Sequence, residues 1–344
     1  MNSVERFYAT IERKAVDRPA SWLGLPDKKA LKGLFEYFEV ATLDDMKNKI
    51  DDDIYPVELP YHSPISDAIY DAFHFGKSDK GNPDERTLTA AGFFEDYSDP
   101  SKVDDFNWPD PLQYISIEEC KKVVENVPDD KAIIGILWSS HYQETCAAFG
   151  METALIKMML EPEMYKAIDD KIIDFYLKAN ERFYQATKGK LHGVLIGNDM
   201  GSQTGLMLSP SLVKEFILPG TKKLIDQAKS YGLKVIYHSC GSIFDIIPDL
   251  IEAGVDIIHP IQAKATGMEP QRLKENFGDK VAFCGGVDAQ ELMVIGSPEE
   301  VRTTVNELKN IFPTGLILSP SHEAILEDTK PQNIEALFKA VKNI

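Results

Sequence analysis

The stretch KVIYHSCGSIFDIIPDLIEAGVDIIHPI, residues 234–261, contains a strand, a helix and a second strand in order. KVIYH (234–238) and VDIIHPI (255–261) are short apolar runs rich in β-branched residues, which is typical of buried strands. FDIIPDLIEAG (244–254) has helical spacing and ends at a glycine. A strand, a crossing helix and a strand predict a unit of parallel sheet covered by helices.

The same alternation of strand and helix recurs along the chain. Amphipathic helical stretches such as residues 209–232 and 297–312 follow or precede further short apolar runs. Including the two strands above, the count is eight, which favours a closed (β/α)8 TIM barrel of the α/β class over an open doubly wound sheet. The other six strands are PASWLGL (19–25), DIYPVEL (53–59), AIIGILW (132–138), GVLIGN (193–198), KVAFC (280–284) and GLILS (315–319).

We expect the barrel to form a single domain over residues 1–344, with an N-terminal extension. Residues 60–130 are irregular and rich in Tyr, Phe, Asp and Pro, and they fall between early strands. We interpret them as an insertion or lid within the barrel rather than as a second domain. The acidic run from Asp51 to Asp53 is expected to be solvated.

Composition limits the classes of partner. The chain has 37 basic and 55 acidic side chains, a net charge of -18, and no run of Lys and Arg, so we expect no nucleic-acid partner. No stretch approaches the ~20 apolar residues of a membrane span, and the N-terminus lacks an apolar signal region. We therefore predict a cytoplasmic protein without a membrane partner. Its four cysteines, Cys120, Cys146, Cys240 and Cys284, are expected to be free thiols or metal ligands.

Polar side chains recur where the predicted strands end. In a TIM barrel the carboxyl ends of the strands and the loops after them form the active face. We expect the functional site there, because ligand-type side chains occupy these positions. They are Trp138, Ser139, His141, Asn198, Asp199, Gln203, His238, Cys240, Gln262, Cys284, Asp288, Ser319 and His322.

His238 and Cys240 are the pair most suggestive of a metal. Two positions apart at the end of a strand, they can point to the same side, and Zn²⁺ accepts both imidazole and thiolate ligands. They can equally be buried core residues. A further ligand would have to come from another strand end, where His322 is preferred to Cys284 because no packing demand explains it.

Other candidates keep two interpretations. Asn198 and Asp199 are either substrate-binding groups or an ordinary turn after a strand, and His141 either faces the site or faces solvent. Gln262 is either a weak oxygen ligand or a hydrogen-bonding partner of the substrate. His259, inside a strand before Pro260, is expected to be structural.

Four segments resemble the uroporphyrinogen decarboxylase superfamily, which contains haem-pathway decarboxylases and zinc-dependent, corrinoid-linked methyltransferases. The resemblance implies the same (β/α)8 barrel. The segments are GNDMGSQTGLMLSPSLVKEFILPGTKKLI (197–225), VIYHSCGSIFDIIPDLIEAGVDIIHPIQ (235–262), VAFCGGVDAQ (281–290) and LILSPSHEAILEDTKPQNIEAL (316–337).

The resemblance favours the methyltransferase branch. The decarboxylases carry an arginine-rich run of the type Trp-Leu-Met-Arg-Gln-Ala-Gly-Arg, whereas this chain has WLGLPDKKALKG, and the expected tyrosine is absent from LWSSHYQETCAAFG. The methyltransferases carry a His-x-Cys pair on the corresponding strand, matched here by His238 and Cys240. Their later cysteine corresponds to His322, and Gln262 lies near the place of their glutamate ligand. Because a site with one thiolate is less suited to a thiol substrate, an O-methyl ether is the favoured methyl donor.

The resemblance therefore implies a zinc-dependent methyltransferase. His238, Cys240 and His322 would bind the zinc, with Cys284 a less favoured ligand, and the same three residues with Asp199 would be catalytic. The corrinoid (cobalamin) would arrive on a partner protein. A homodimer is compatible with this prediction. A metal-independent decarboxylase and a non-catalytic barrel that binds a small molecule or a corrinoid protein are the alternatives. The expected substrate-binding residues are Asn198, Gln203, Gln262, His141 and Trp138.

Overall fold

A parallel sheet of seven strands curls around the centre of the molecule. The computed structural model describes residues 1–76 and 89–343. Each strand pairs in parallel with the next along the chain, so spatial order equals sequence order. The strands are β2 (Ile54–Glu58), β3 (Ala132–Trp138), β4 (Gly193–Gly197), β5 (Lys234–His238), β6 (Ile257–Ile261), β7 (Ala282–Val287) and β8 (Leu316–Pro320).

The eighth position of the barrel is occupied by the residues around Ser21. Ser21 forms a parallel bridge with Leu318 of β8, and the Trp22 amide donates to the Leu318 carbonyl at 3.0 Å. On the other side, the Asp53 amide donates to the Ser21 carbonyl at 3.1 Å, which joins this segment to β2. The TIM-barrel prediction is thus confirmed, with the predicted first strand reduced to a short bridge.

Two short strands lie beside this closure. β1 (Leu25–Pro26) pairs in parallel with β9 (Ala324–Ile325). β9 could not be predicted from the sequence, because a strand of two residues shows no periodicity. The pairing ties the segment after the first barrel position to the segment that follows β8.

Helices surround the sheet and follow the predicted order. The predicted helix over 209–232 is observed as three consecutive helical segments: Pro210–Leu212, a π-helical turn at Val213–Ile217, and Leu218–Ser230. Short 3-10 turns lie at Ile69–Asp71, Pro100–Asp105 and Phe244–Ile246. No helix of the described residues is both long and apolar enough to cross a membrane. The α-helices are α1 (Ser3–Ile11), α2 (Lys28–Phe38), α3 (Leu43–Ile50), α4 (Pro111–Tyr114), α5 (Ile117–Lys122), α6 (His141–Phe149), α7 (Met151–Leu160), α8 (Pro162–Ala186), α9 (Pro210–Leu212), α10 (Leu218–Ser230), α11 (Ile247–Ala253), α12 (Pro270–Phe277), α13 (Pro298–Ile311) and α14 (Pro331–Val341).

The interior of the barrel is filled by side chains from alternate strand positions. Ile134, Ile236, Ile257 and Ile317 belong to one buried cluster, which Phe7 of α1 also joins. A second, larger cluster fills the space between the strands and the surrounding helices. Burial on both faces explains why the strands read as continuous apolar runs rather than as alternating ones.

The described parts of the 60–130 segment pack through aromatic rings. Phe73 lies 4.7 Å from Phe175 of α8 between ring centroids, and Phe75 and Phe94 both contact Trp108. These rings form a small core against α8. Residues 77–88 of the segment lie outside the described residues, so its interpretation as a lid stays a prediction.

The expectation that Asp51 to Asp53 are solvated is wrong for two of the three. Asp52 and Asp53 are fully buried. Asp53 accepts hydrogen bonds from Arg6 Nη1 and Arg18 Nη1, each at 2.6 Å. Both arginines come from segments distant in sequence, so local charge density gave no sign of this burial.

Candidate functional site

Asp199, His238 and Cys240 converge at the carboxyl ends of β4 and β5. One ligand-type atom from each lies within 4.8 Å of the other two. His238 Nε2 is 3.3 Å from Asp199 Oδ1 and 3.5 Å from the Cys240 sulfur. The Cys240 amide also donates to Asp199 Oδ1 at 2.9 Å, so the loop after one strand holds the carboxylate that follows the other.

Two glycines allow the loops after β4 and β5 to approach each other this closely. Gly241 has a φ of +79°, and a Cβ added to it would lie 2.6 Å from the Gly201 carbonyl carbon. The Ser242 amide donates to the Ser202 carbonyl at 2.8 Å across the same contact. A larger residue at position 241 would be strained and would separate the loops.

His259 and Glu323 lie on the opposite side of the His238 ring. His238 and His259 are register partners on β5 and β6, and their Nδ1 atoms are 3.0 Å apart. Glu323 Oε2 is 3.4 Å from His238 Nδ1. His259 was expected to be structural, and Glu323 was not among the predicted site residues. The register of two neighbouring strands would have revealed the first, and no sequence pattern marked the second.

His322 lies beside this group, next to the cysteine. The centroid of the His322 ring is 6.2 Å from that of His238. Its Nδ1 accepts a hydrogen bond from the Ala324 amide at 3.0 Å, which leaves Nε2 for other partners. His322 was predicted to be the third ligand, but among the described residues the compact group with His238 and Cys240 contains Asp199 instead.

The cluster favours a thiolate and an ionised carboxylate. Burial alone would raise the pKa of the Cys240 thiol, but hydrogen bonds from His238 and His322 hold that pKa below its usual value. Burial likewise opposes ionisation of Asp199, yet the hydrogen bond and charge of His238 hold the pKa of its carboxyl well below the usual range. His322 responds in the opposite direction, because its bond to Cys240 raises the pKa of its imidazole.

The other cysteines differ from Cys240. Burial raises the pKa of the Cys120 thiol to about 11 and that of Cys146 to about 12. Cys284 is fully buried inside the barrel, where burial raises the pKa of its thiol as well. It belongs to the inner apolar cluster, and the compact ligand groups found among the described residues do not include it.

Asn198 and His141 point into the protein. The Asn198 side chain accepts from the Tyr142 amide at 2.9 Å and donates to the Tyr237 hydroxyl at 3.2 Å. His141 is fully buried, with its ring nitrogens 2.8 Å from Asp169 and 3.1 Å from Thr221. The structure therefore does not bring either side chain to the cluster.

Trp138 borders the cluster at the end of β3. Its φ of +58° is unusual for a bulky residue, and the register of β3 against β4 shifts just before it. Its ring lies edge-on to that of His238, with centroids 5.9 Å apart. Tyr70 lies beyond it, at 6.4 Å between centroids. Backbone strain at such a position is typical of functional sites.

A cavity of about 370 Å³ opens beside the cluster, and Gln203, Gln262 and His322 line it. Gln262 is held in place because its side-chain oxygen accepts from the Gly241 amide at 2.8 Å. Asp288 and Lys264 also line the cavity. The lysine is engaged by two carboxylates, Asp288 at 3.1 Å and Glu291. The cavity thus has polar side chains on part of its wall, and the Lys264 ammonium group is paired with two carboxylates.

The site is suited to binding a divalent ion. A thiolate, an imidazole and a carboxylate at this spacing are all ligands that Zn²⁺ accepts. The adjoining cavity would leave room for a substrate at an open coordination position. The candidate site therefore combines a set of possible metal ligands with an adjoining cavity that Gln203, Gln262 and His322 line.

Comparisons with known proteins agree with this fold. The family model described as Uroporphyrinogen decarboxylase (URO-D) matches residues 89–344. Among solved structures, a methyltransferase from Methanosarcina mazei superimposes with a TM-score of 0.71 at 16% identity, covering 100% of this chain and 99% of that one. A structure described as a vitamin-B12-independent methionine synthase from Listeria monocytogenes gives a TM-score of 0.47 at 12% identity, covering 96% and 97%. No curated protein matches the chain.

Proposed function

We propose that this chain, which belongs to the uroporphyrinogen decarboxylase family, is a methyltransferase of that family. It would depend on zinc and move a methyl group between a small methylated substrate and a corrinoid on a partner protein. Its fold, shared over the full length with a Methanosarcina mazei methyltransferase, is compatible with this proposal. The proposal itself rests on the side chains at the barrel mouth.

The observation that carries the proposal is the compact group of Asp199, His238 and Cys240. Their ligand atoms lie within 4.8 Å of one another at the barrel mouth. The pKa values of the Asp199 carboxyl and the Cys240 thiol are both lowered, which favours the anionic form of each group. This charge suits a divalent cation. His322 is the next side chain within reach of the same sulfur, either as a fourth ligand or as a hydrogen-bond donor to it.

Zinc bound here would act as a Lewis acid on the heteroatom that carries the methyl group. The chain's own residues would do the rest. His322 lines the cavity, and because its Nδ1 accepts from the Ala324 amide, its Nε2 would hold the proton near the departing oxygen. Gln262 and Gln203 would orient the substrate by hydrogen bonds, and the Trp138 ring would limit access of water from the side of β3.

The cavity supports a small, uncharged methyl ether as the substrate. An acidic substrate would need a free cation to pair with its carboxylate. The lysine of the cavity, Lys264, is instead held by Asp288 and Glu291. The single thiolate of the cluster supports the same preference, because two thiolates are the donor set suited to a thiol substrate.

Partner supply of the corrinoid is part of the proposal. The cluster lies at the open carboxyl end of the barrel, and the Asp199 side chain is 44% exposed there. A corrinoid presented from outside would meet the methyl group at this opening and accept it. In this proposal the corrinoid stays bound to the partner protein while the methyl group is transferred.

Metal analysis tests the proposal directly. We expect about one zinc per purified chain, and His238→Ala and Cys240→Ala should remove it. Cys284→Ser is the matched control, since it removes a thiol outside the compact group. Stoichiometric zinc in both His238→Ala and Cys240→Ala would exclude the site.

Methyl transfer tests the activity. Purified protein, a reduced corrinoid protein and 2-methoxyphenol should yield methylated corrinoid, followed by its absorption spectrum, and Cys240→Ala should yield none. His322→Ala separates the two roles of that residue: loss of zinc identifies a ligand, whereas full zinc with slow transfer identifies a proton carrier. A zinc-loaded protein that transfers no methyl group from ethers or amines would contradict the activity while leaving the metal site in place.

A further inference from the structure

The His238 ring is contacted on both of its nitrogens. Nε2 faces Asp199 at 3.3 Å and the Cys240 sulfur at 3.5 Å. Nδ1 faces His259 Nδ1 at 3.0 Å and Glu323 at 3.4 Å. The two sides form two separate ligand-type groups that share this one ring. A neutral imidazole has one protonated nitrogen and one lone pair, so its tautomer decides which group can share a metal.

The inner side is closed to solvent. His259 is fully buried and Glu323 is 7% exposed, whereas Cys240 and Asp199 on the outer side are partly exposed. The cavity likewise adjoins the outer side. A metal ion and a substrate would therefore enter on the Nε2 side of His238, and the Nδ1 side is enclosed by protein.

The contact between the two histidines requires one proton. Two Nδ1 atoms 3.0 Å apart form a hydrogen bond in which one donates and the other accepts. His259 cannot slide away from this contact, because it is the register partner of His238 on the adjacent strand. The Trp22 ring lies 5.2 Å from the other face of His259 and holds it in place.

Glu323 provides a second acceptor on the same side. Its Oε2 is buried and has no hydrogen-bond partner within the described ranges 1–76 and 89–343. It lies 3.4 Å from His238 Nδ1 and 3.5 Å from His322 Nδ1. A buried carboxylate oxygen is costly unless it meets a proton or a charge, and the nearest proton available to it is the one on His238 Nδ1.

We propose that His259 and Glu323 are positioning residues that keep the proton of His238 on Nδ1, so that Nε2 presents its lone pair to the side of Asp199 and Cys240. This inference rests on the zinc site of the proposed function. Metal-binding histidines commonly donate their other N–H to a carboxylate or another acceptor, which fixes the tautomer and the ring orientation. Here a second imidazole and a carboxylate would share that task.

Three variants test the role of these residues through zinc affinity. His259→Leu fills similar space without an acceptor, and His259→Asn retains a polar atom near the position of Nδ1. Glu323→Gln removes the charge of the carboxylate. The control is Glu327→Gln, which makes the same change at an exposed position four residues away. Zinc dissociation constants would be measured by competition with a chromophoric chelator, with urea unfolding of each metal-free variant in parallel.

We expect His259→Leu and Glu323→Gln to weaken zinc binding by about 10- to 100-fold. Saturating zinc should still reach the wild-type stoichiometry, His259→Asn should recover part of the affinity, and Glu327→Gln should bind as the wild type does. In the zinc-loaded wild type, ¹⁵N NMR should show the proton of His238 on Nδ1.

The outcomes separate this inference from the proposed function. Wild-type affinity in His259→Leu and Glu323→Gln would overturn the positioning role while the zinc site stands. If His259→Asn and His259→Leu lost equal zinc affinity and equal free energy of unfolding, His259 would contribute only by packing. That result would overturn its role as a positioning residue. A wild-type chain that binds no zinc would refute the proposed function and this inference together.

Discussion

Replacing Asp53 by asparagine should destabilise the barrel far more than the same change two residues earlier. The Asp53 carboxylate is fully buried where the first barrel position meets β2. It accepts from Arg6 and Arg18 at 2.6 Å each and from the Ser21 amide at 2.9 Å. Asp53→Asn keeps the shape of the side chain but removes the charge that both guanidinium groups face.

The magnitude follows from which partners remain. Breaking a buried ion pair by removing one member costs about 3–5 kcal/mol. Arg6 retains Asp17 at 2.8 Å and Arg18 retains Asp51 at 2.9 Å, so neither arginine is left without a carboxylate. We therefore expect the low end of the range, a loss of about 3 kcal/mol in the free energy of unfolding.

Asp51→Asn is the matched control. The Asp51 side chain is 47% exposed and pairs with the same Arg18, so its loss should cost less than about 1 kcal/mol. Urea unfolding at pH 7 and constant ionic strength, followed by circular dichroism, would compare the two variants with the wild type. A loss in Asp53→Asn no greater than that in Asp51→Asn would refute the argument that burial, rather than charge count, makes this network stabilising.

Three further predictions concern titration and the cavity. In metal-free protein, iodoacetamide should modify Cys240 at lower pH than Cys284, because the neighbouring imidazoles lower the pKa of the Cys240 thiol and burial raises that of Cys284. Mass spectrometry would follow both modification rates across pH 6–9, a range that roughly brackets the ordinary thiol pKa. Equal rates for the two thiols would contradict the prediction. The bond from Arg6 holds the pKa of Asp17 well below its usual value, so the stability it contributes is fully present at neutral pH and falls progressively on acidification below about pH 4. The difference in unfolding free energy between the wild type and Asp17→Asn should therefore shrink from pH 7 to pH 3, and an unchanged difference would show that the pairing does not matter. By calorimetry, zinc-loaded protein should bind 2-methoxyphenol with a lower dissociation constant than its 4-carboxylate derivative. Glu291→Gln frees Lys264 from one partner, so it should reduce the difference between the two dissociation constants. Tighter binding of the 4-carboxylate derivative by the wild type would contradict the inferred substrate class.

Most of the fold could be predicted because its signal is local. Each buried strand is a continuous apolar run, and each long helix carries its own start and stop residues, so the order of elements follows from windows of about 5–15 residues. The buried network around Asp53 could not be predicted, because Arg6 and Arg18 reach it from 47 and 35 residues away in the sequence. The bridge at Ser21 has the same origin: its pairing with Leu318 joins the two ends of the chain.

The candidate site could be predicted in part for a similar reason. His238 and Cys240 stand out because they share one strand end, two residues apart. His259 became visible only once strand register placed it opposite His238. Asn198 and His141 carry polar groups at strand ends as well, yet internal partners on other elements satisfy both. A sequence shows where polar groups occur, but it does not show whether a distant segment has already used them.

The chemistry of the cluster bears on why a histidine follows the last barrel strand. If Asp199 joins His238 and Cys240 around zinc, the set has one soft thiolate and one hard carboxylate, and the metal retains more positive charge than between two thiolates. Such an ion polarises an ether oxygen better than it activates a thiol. His322 would then not supply the charge of a second thiolate. It lines the cavity, and its Nε2 would hold a proton there because its Nδ1 accepts from the Ala324 amide. His322→Cys should therefore raise the affinity for zinc and lower the rate of methyl transfer from an ether. An increase in both the zinc affinity and the transfer rate would show that His322 serves only as a ligand.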